Sequence, residues 1–320
     1  MNEEEWDFEN QRDPDFTSSQ AINLIKPYYD SVTENKLLFL HHGTFNVYEV
    51  DNYIFRIPDK TLYNRKGWNL IRREVNNLNF VRNNLTITVP KPEFISTDPS
   101  KPLVGYVKIP GQSLDKLWKF ITGEKIISIA KELGLFLAQF HSSTMQKHYV
   151  SRFNVVPLTQ DDIARDFKEI FDRVKNIIYP MITNSLQKHL EALFTDYLDN
   201  FDKCRFTPCV THQDFDTSNI LIDPESYKIS GIIDFEDMNL GDPAYDLVFI
   251  AQGRSFSDTL LSNYANKDEF LLKRISFYYQ RTGIPYLLYG IDHNLPDMIK
   301  YGKYMLNKRM SLPFEKISHL

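Results

Sequence analysis

Apolar positions fall into two regimes along the chain. Between residues 36 and 58, "KLLFLHHGTFNVYEVDNYIFRIP", the runs "LLFLH", "NVYEV" and "YIFRI" are rich in β-branched and aromatic residues, and "VDN" supplies a turn. This pattern predicts three antiparallel strands. Residues 68–83 then place Trp68, Ile71, Val75, Leu78 and Val81 at helical spacing. "ITVPKPEFIST" and "LVGYVKI" read as two more strands. Ahead of the sheet, residues 18–29 predict a short helix opened by a Ser cap and closed near Pro27. Beyond "PGQSL" the period changes. "KIISIAKELGLFLAQFHSS", 161–178 and 186–201 are helical, and the chain from about 267 onward is mostly so. Strand-like pieces in this half are few: "CVTH", "NILID" and "KISGIIDF".

The change of regime falls where Pro110 and Gly111 punctuate the chain. The predicted organisation is α+β: an N-lobe over 18–107, a hinge at 108–111 and a mainly helical C-lobe over 112–320, with a cleft between the lobes. Residues 1–17 form an acidic leader with seven carboxylates against one Arg, expected to be solvated and frayed.

Composition narrows the class. Charged residues make up 25% and apolar ones 42%, which is globular. The net charge of −5 sits mostly in the leader, so the remainder is nearly neutral and nucleic acid is not the expected partner. Cys204 and Cys209 are too few for a disulfide framework or a zinc cluster and read as buried thiols. No signal peptide or membrane span is visible, so the expected location is cytoplasmic.

The chemistry concentrates in "THQDFDTSNILID" and "GIIDFEDMNLGDPAYDL". His212-Gln-Asp214, followed at the fifth position by Asn219, matches H-x-D-x-x-x-x-N. In kinase-type phosphoryl transfer the Asp of such a loop accepts the hydroxyl proton and the Asn binds magnesium. Asp234 ends an apolar strand, where a metal-binding carboxylate would be held rigidly. The hairpin between them turns at Pro-Glu-Ser. His41, His42 and His141 read as strand-end and helix-end residues.

Together, "HQDFDTSN", "IDFED" and "GDPAYDL" resemble the aminoglycoside phosphotransferase family, which has a two-lobed protein-kinase-like fold. "YIFRIP", "RREVNNLNFV", "GYVKIPGQSL" and "LGLFLAQFHS" extend the resemblance over roughly residues 18–310. The family's pattern is H-G-D, where this chain has Gln213. The resemblance implies Asp214 as the catalytic carboxylate, Asn219 and Asp234 as magnesium ligands, and His212 and Asp246 as braces of the catalytic loop. It puts Arg56 where the family often has a phosphate-binding Lys, with Glu74 as its partner. Val107, Lys108 and Ile109 would offer hinge backbone to a purine, with Tyr106 at the back of that pocket. A Tyr there resembles the 2''-aminoglycoside branch, some of whose members use GTP. Asp216 and Glu236 are candidate acceptor contacts. Asp161, Asp162, Asp166, Glu169 and Asp172 make an acidic run that either helps attract a polycation or is simply a solvated helix face.

The implied function is transfer of the γ-phosphoryl of ATP or GTP to a hydroxyl, with Mg2+ as cofactor. The first acceptor class is an aminoglycoside, which would tie the protein to antibiotic resistance. The alternatives are a metabolic small-alcohol, sugar or macrolide kinase of the same fold, and a nucleotide-binding pseudokinase. The intact Asp214, Asn219 and Asp234 argue against the last.

Overall fold

A computed structural model describes residues 12–202, 205–249 and 252–311. The leader's first eleven residues and Cys204 lie outside the described residues. Among the described residues the strands are, in chain order, β1 (Leu37–His42), β2 (Phe45–Val50), β3 (Tyr53–Pro58), β4 (Pro92–Ile95), β5 (Val104–Val107), β6 (Gln112–Ser113), β7 (Cys209–Thr211), β8 (Ile220–Ile222), β9 (Ile229–Ile232) and β10 (Asn239–Gly241). No helix among these residues is long and apolar enough to cross a membrane.

The chain divides into two compact units: Met1–Phe120 with Thr217–Met238, and Ile121–Asp216 with Asn239–Leu320. The first is built on an antiparallel sheet of order β1-β2-β3-β5-β4. Strand alternation sends neighbours on β3 to opposite faces. Phe55 and Ile57 enter a core with Tyr48, Val50, Leu103, Phe16 and the helix α1 (Ser18–Ile25). Arg56 points the other way, toward α2 (Arg65–Asn84), whose buried stripe includes Ile71, Glu74, Val75 and Leu78. Two-sided cover explains why β2 buries almost every residue rather than alternate ones.

Two expectations for the N-terminal stretch are corrected. Thr17, not a Ser, caps α1, in a capping box with Gln20. Residues 12–16 are not frayed: Phe16 is buried against Tyr63, and the Asp15 N–H donates to Asn46 Oδ1 at 2.9 Å. An acidic composition predicts solvation only while the carboxylates lack partners, and here they have them.

The hairpin carrying Asn219 and Asp234 packs with the first unit. β6 pairs with β8, β8 pairs antiparallel with β9, and the Ile232 N–H donates to Thr88 O at 3.0 Å. The hairpin turn is held by Asp223 Oδ1, which accepts from the Glu225 and Ser226 N–H groups and from Ser226 Oγ.

The second unit is mainly helical. Its helices include Glu124–Phe140, Gln160–Arg173, Asn184–Asp199, Leu271–Gln280 and Gly283–Asp292, and the short β7–β10 pair packs against Ser143–Phe153 and Pro243–Leu247. Phe171, Phe194, Phe277 and Tyr197 form stacked and edge-on contacts at its centre. The acidic run sits mainly on the outer turns of Gln160–Arg173, whose inner face is Ile163, Phe167 and Phe171. Within that run Asp162 closes the capping box with Thr159 and Asp172 pairs with Lys175 at 2.8 Å.

Candidate active site

In the second unit, β7 delivers the loop His212–Asp216. Asp246 pins this loop through its backbone. The His212 N–H donates to Asp246 Oδ2 at 2.6 Å and the Gln213 N–H donates to Oδ1 at 3.1 Å. His141 Nε2 approaches the same Oδ2 at 3.1 Å, and its Nδ1 meets the Tyr264 hydroxyl at 3.0 Å. Asp246 and His141 side chains are fully buried. Both residues therefore brace the loop, and His141 is more than a helix-end residue. The Asp214 N–H donates to His212 Nδ1 at 3.3 Å, which makes that nitrogen the acceptor. Phe215 is buried and stacks on Phe136, with 5.8 Å between ring centroids. Asp214 and Asp216 on either side of it are exposed. A single anchored ring thus leaves two carboxylates facing solvent.

Gln213 has φ 71°, a left-handed value that favours glycine. This is the position where the family pattern has Gly. Its amide Nε2 donates to Thr211 Oγ1 at 2.5 Å, which helps to hold the conformation. Below the loop, Asp242 accepts Arg274 Nε at 3.1 and 3.0 Å, and Arg274 also reaches Asp268. Cys209 is buried, and burial pushes its thiol well up.

The first unit gathers a charge cluster around Arg56. Its NH1 donates to Glu74 Oε1 at 2.5 Å and to Asp234 Oδ1 at 3.2 Å, and its NH2 donates to Glu236 Oε2 at 2.9 Å. The guanidinium also lies 4.2 Å from the Phe45 ring centroid. Burial pulls the Arg56 pKa down, but Asp234, Glu74 and Glu236 outweigh it and hold the guanidinium charged. Burial raises the Glu74 carboxyl, against the pull of Arg56. Burial also lifts Glu236 to about 8, opposed by Arg56 and reinforced by Asp234 and Glu74. Glu236 therefore faces Arg56, whereas the sequence offered it to an acceptor. It is Asp237 that is exposed, bonded to Arg73 at 2.8 Å.

Tyr106 is buried on the same face of the sheet, because it pairs with Ile54 and Val104 pairs with Arg56. Its hydroxyl donates to Glu74 Oε2 at 2.6 Å, and burial, then Glu74, raises that hydroxyl well above the usual phenol range. Val107, Lys108 and Ile109 line a hollow of about 590 Å3 with Leu85, Thr88 and Ser230, to which Arg56 and Tyr106 do not contribute. The Val107 N–H donates to Lys91 O and the Lys108 N–H to Asn52 O at 2.9 Å, and Lys108 Nζ pairs with Glu49.

Asn219 and Asp234 are joined through the hairpin: the Ile233 N–H donates to Asn219 O at 3.0 Å. Asn219 is buried, while the Asp234 side chain is 31% exposed. Asp234 takes φ 68°, which re-aims its carboxylate as the strand ends. The residues fit a hard divalent cation. An amide oxygen and a carboxylate are oxygen donors of the kind magnesium takes.

One neighbour escaped the sequence reading. Tyr286 keeps 37% of its surface exposed, and burial around its hydroxyl, then Tyr301, Asp216 and Asp214, holds that hydroxyl up. Tyr286 meets Tyr301 edge-on at 4.9 Å. In "GIPYLLYG" nothing marks that Tyr as different from a packing residue.

The family match and the fold make the chain an alcohol-acceptor phosphotransferase with a protein-kinase-like fold. The chain belongs to the phosphotransferase enzyme family APH, whose model matches residues 37–278. Solved structures of similar fold include an APH(2'')-IIIa in complex with GDP and kanamycin, 22% identical over 91% of this chain and 98% of that chain, with a TM-score of 0.79. The GDP complex of wild-type aminoglycoside 2'-phosphotransferase-IIIa is 20% identical over 92% and 99%, with a TM-score of 0.80. A choline/ethanolamine kinase family protein from Mesorhizobium loti is 15% identical over 92% and 94%, with a TM-score of 0.60. No curated protein matches the chain.

Proposed function

We propose that the protein transfers the γ-phosphoryl of ATP or GTP to a hydroxyl of a cationic amino alcohol, with an aminoglycoside as the first acceptor class. The observation that carries this reading is the loop His212–Asp216. It presents Asp214 and Asp216 to solvent from a braced backbone, beside Tyr286. Asp214 takes the proton of the attacking hydroxyl, as the loop Asp does in kinase-type transfer. Asp216 supplies a second negative charge for a cationic acceptor, and the faces of Tyr286 and Tyr301 suit an ammonium group. The acceptor's charge matters because both kinds of similar structure are named for such molecules: kanamycin in one, choline or ethanolamine in the other.

On the nucleotide side, Arg56 binds a phosphate oxygen, and Glu74 fixes the guanidinium. Arg56 Nε is buried without a hydrogen-bond partner among the described residues, so the fork has a donor to spare. Asn219 and Asp234 would hold magnesium, which when bound offsets the charge of the phosphates. Two of the three hinge N–H groups are used internally, so a base edge would take the Ile109 N–H and the hinge carbonyls. Tyr106 lies buried beside the hinge strand with its hydroxyl on Glu74, and the choice between ATP and GTP is read from the assay below.

The test is a panel of aminoglycosides, choline, ethanolamine, sugars and a macrolide, incubated with enzyme, Mg2+ and either nucleotide. Mass spectrometry reads the product. A phosphorylated aminoglycoside supports the first acceptor class, and a phosphorylated choline or ethanolamine shifts it to the small amino alcohols. Phosphorylation of neutral sugars alone would remove the cationic acceptor, and nucleotide binding without any product would favour the pseudokinase.

A further inference from the structure

His42 ends β1 and is 2% exposed. Its Nδ1 lies 2.7 Å from the backbone carbonyl oxygen of Asp13. A carbonyl oxygen only accepts, so Nδ1 carries the ring proton. In the neutral ring Nε2 is then a bare lone pair. It stands 2.9 Å from Asp59 Oδ2 and 3.1 Å from Asp15 Oδ2. With a neutral ring and both carboxylates ionised, three acceptors then face one another, an arrangement that needs a metal ion or a further proton between them.

The surroundings favour a metal ion over a second ring proton. Donor atoms about 2.0–2.2 Å from a first-row divalent ion, set at right angles, are about 3 Å apart. Both N–O separations agree with that spacing, as they would with a ring N–H donating to either carboxylate, so the protonation state of the ring is part of the test. A ring nitrogen donating to a backbone carbonyl is the bond that fixes the tautomer of a metal-ligating His. The carboxylates are oriented from behind as well. Asp59 Oδ1 accepts the Thr61 N–H at 2.8 Å and the Thr61 hydroxyl at 2.6 Å, and Asp15 Oδ2 accepts the Lys60 N–H at 3.0 Å. The remaining contacts are Arg12 to Asp59 Oδ2 and Asn46 Nδ2 to Asp15 Oδ2, both long at 3.4 Å. Two carboxylates against the single, distant Arg12 guanidinium leave net negative charge for a cation to offset.

We propose that Asp15, His42 and Asp59 form a binding site for a divalent first-row metal ion, made of different residues from the Asn219–Asp234 pair. The ion fastens the segment Asp13–Phe16 to the sheet. It also borders the turn Gly43–Thr44: His42 precedes that turn directly, and the Asp59 N–H donates to Thr44 O at 2.9 Å. Metal binding thus stiffens the turn between β1 and β2.

The test uses the full chain carrying Asp234→Ala, stripped with chelator and free of nucleotide. Mn2+ or Zn2+ is titrated by calorimetry, and Mn2+ also by paramagnetic resonance. The expected result is one tightly bound equivalent that raises Tm. Asp15→Asn and His42→Gln, each in that background, should weaken binding at least about ten-fold. Asp15→Asn preserves volume and its hydrogen bonds, so it serves if His42→Gln does not fold. Absence of a bound equivalent would overturn the proposal. So would affinity unchanged by Asp15→Asn, or nitrogen NMR showing protons on both His42 ring nitrogens at saturating metal.

Discussion

The catalytic loop and the Arg56 cluster hold carboxylates by opposite means. Asp214 owes its position to neutral backbone geometry: two N–H groups donate to Asp246, Phe215 is sunk in an aromatic nest, and the carboxylate itself is exposed. Asp234 is held inside an ion network, where Arg56 also serves Glu74 and Glu236. In the proposed reaction the proton acceptor gains from a rigid support supplied by other groups. A group that must hold a cation gains from surrounding negative charge. The two loops should therefore respond differently to substitution.

The largest expected effect is on turnover. Asp214→Asn should lower kcat by roughly 10²–10⁴-fold with Tm and nucleotide affinity unchanged. Parallel loss of Tm would mean that the carboxylate is part of the brace. Asp246→Ala should act on the fold first. It strands two buried backbone donors and His141, costing roughly 2–5 kcal/mol in chemical denaturation. Stability equal to wild type would show that the loop is held by its aromatic anchor alone.

In the other region, Glu236→Gln removes one of the three acids around Arg56. It should leave the fold intact and change the apparent KM for nucleotide by a few-fold, on the order of 1 kcal/mol. The carboxyl is lifted to about 8 by burial, so its ionisation costs stability that is absent below about 4.5 and grows as pH rises toward 8. Relative to Glu236→Gln, the wild type should therefore lose stability over that window, a difference readable in Tm across pH. The smallest effects test single contacts. Tyr106→Phe removes the bond to Glu74, at about 1 kcal/mol, and should leave the ATP-to-GTP ratio of kcat/KM alone. Tyr106→Ala should shift that ratio toward ATP if ring bulk gates the base. Gln213→Gly should be tolerated within about 1 kcal/mol, because glycine meets no strain at that φ.

Much of this was legible in the sequence because it is local. β1, β2 and β3 announce themselves by apolar runs around a turn, and α2 by its repeat from Trp68 to Val81. Asp214, Asn219 and Asp234 could be proposed as site residues because the motif sets them at fixed spacing on one loop and one hairpin. β6 and β10 were not readable, since "QS" and "NLG" lack the β-branched apolar run that marks β7 and β8. The helix Ser143–Phe153 buries only Met145 and Tyr149, too thin a stripe to stand out. Partners far apart in sequence were also hidden. Glu236 with Arg56, Tyr286 beside Asp214, and Asp15 with His42 and Asp59 are each made by tertiary folding, which no spacing rule encodes.

The most direct test of the central claim is transfer of labelled γ-phosphoryl to an aminoglycoside by wild type and by Asp214→Asn, with nucleotide binding measured on the same samples. The account predicts labelled product from wild type, a loss of roughly 10²–10⁴-fold in the variant, and equal nucleotide affinity in both. Product formed at the same rate by Asp214→Asn would contradict it.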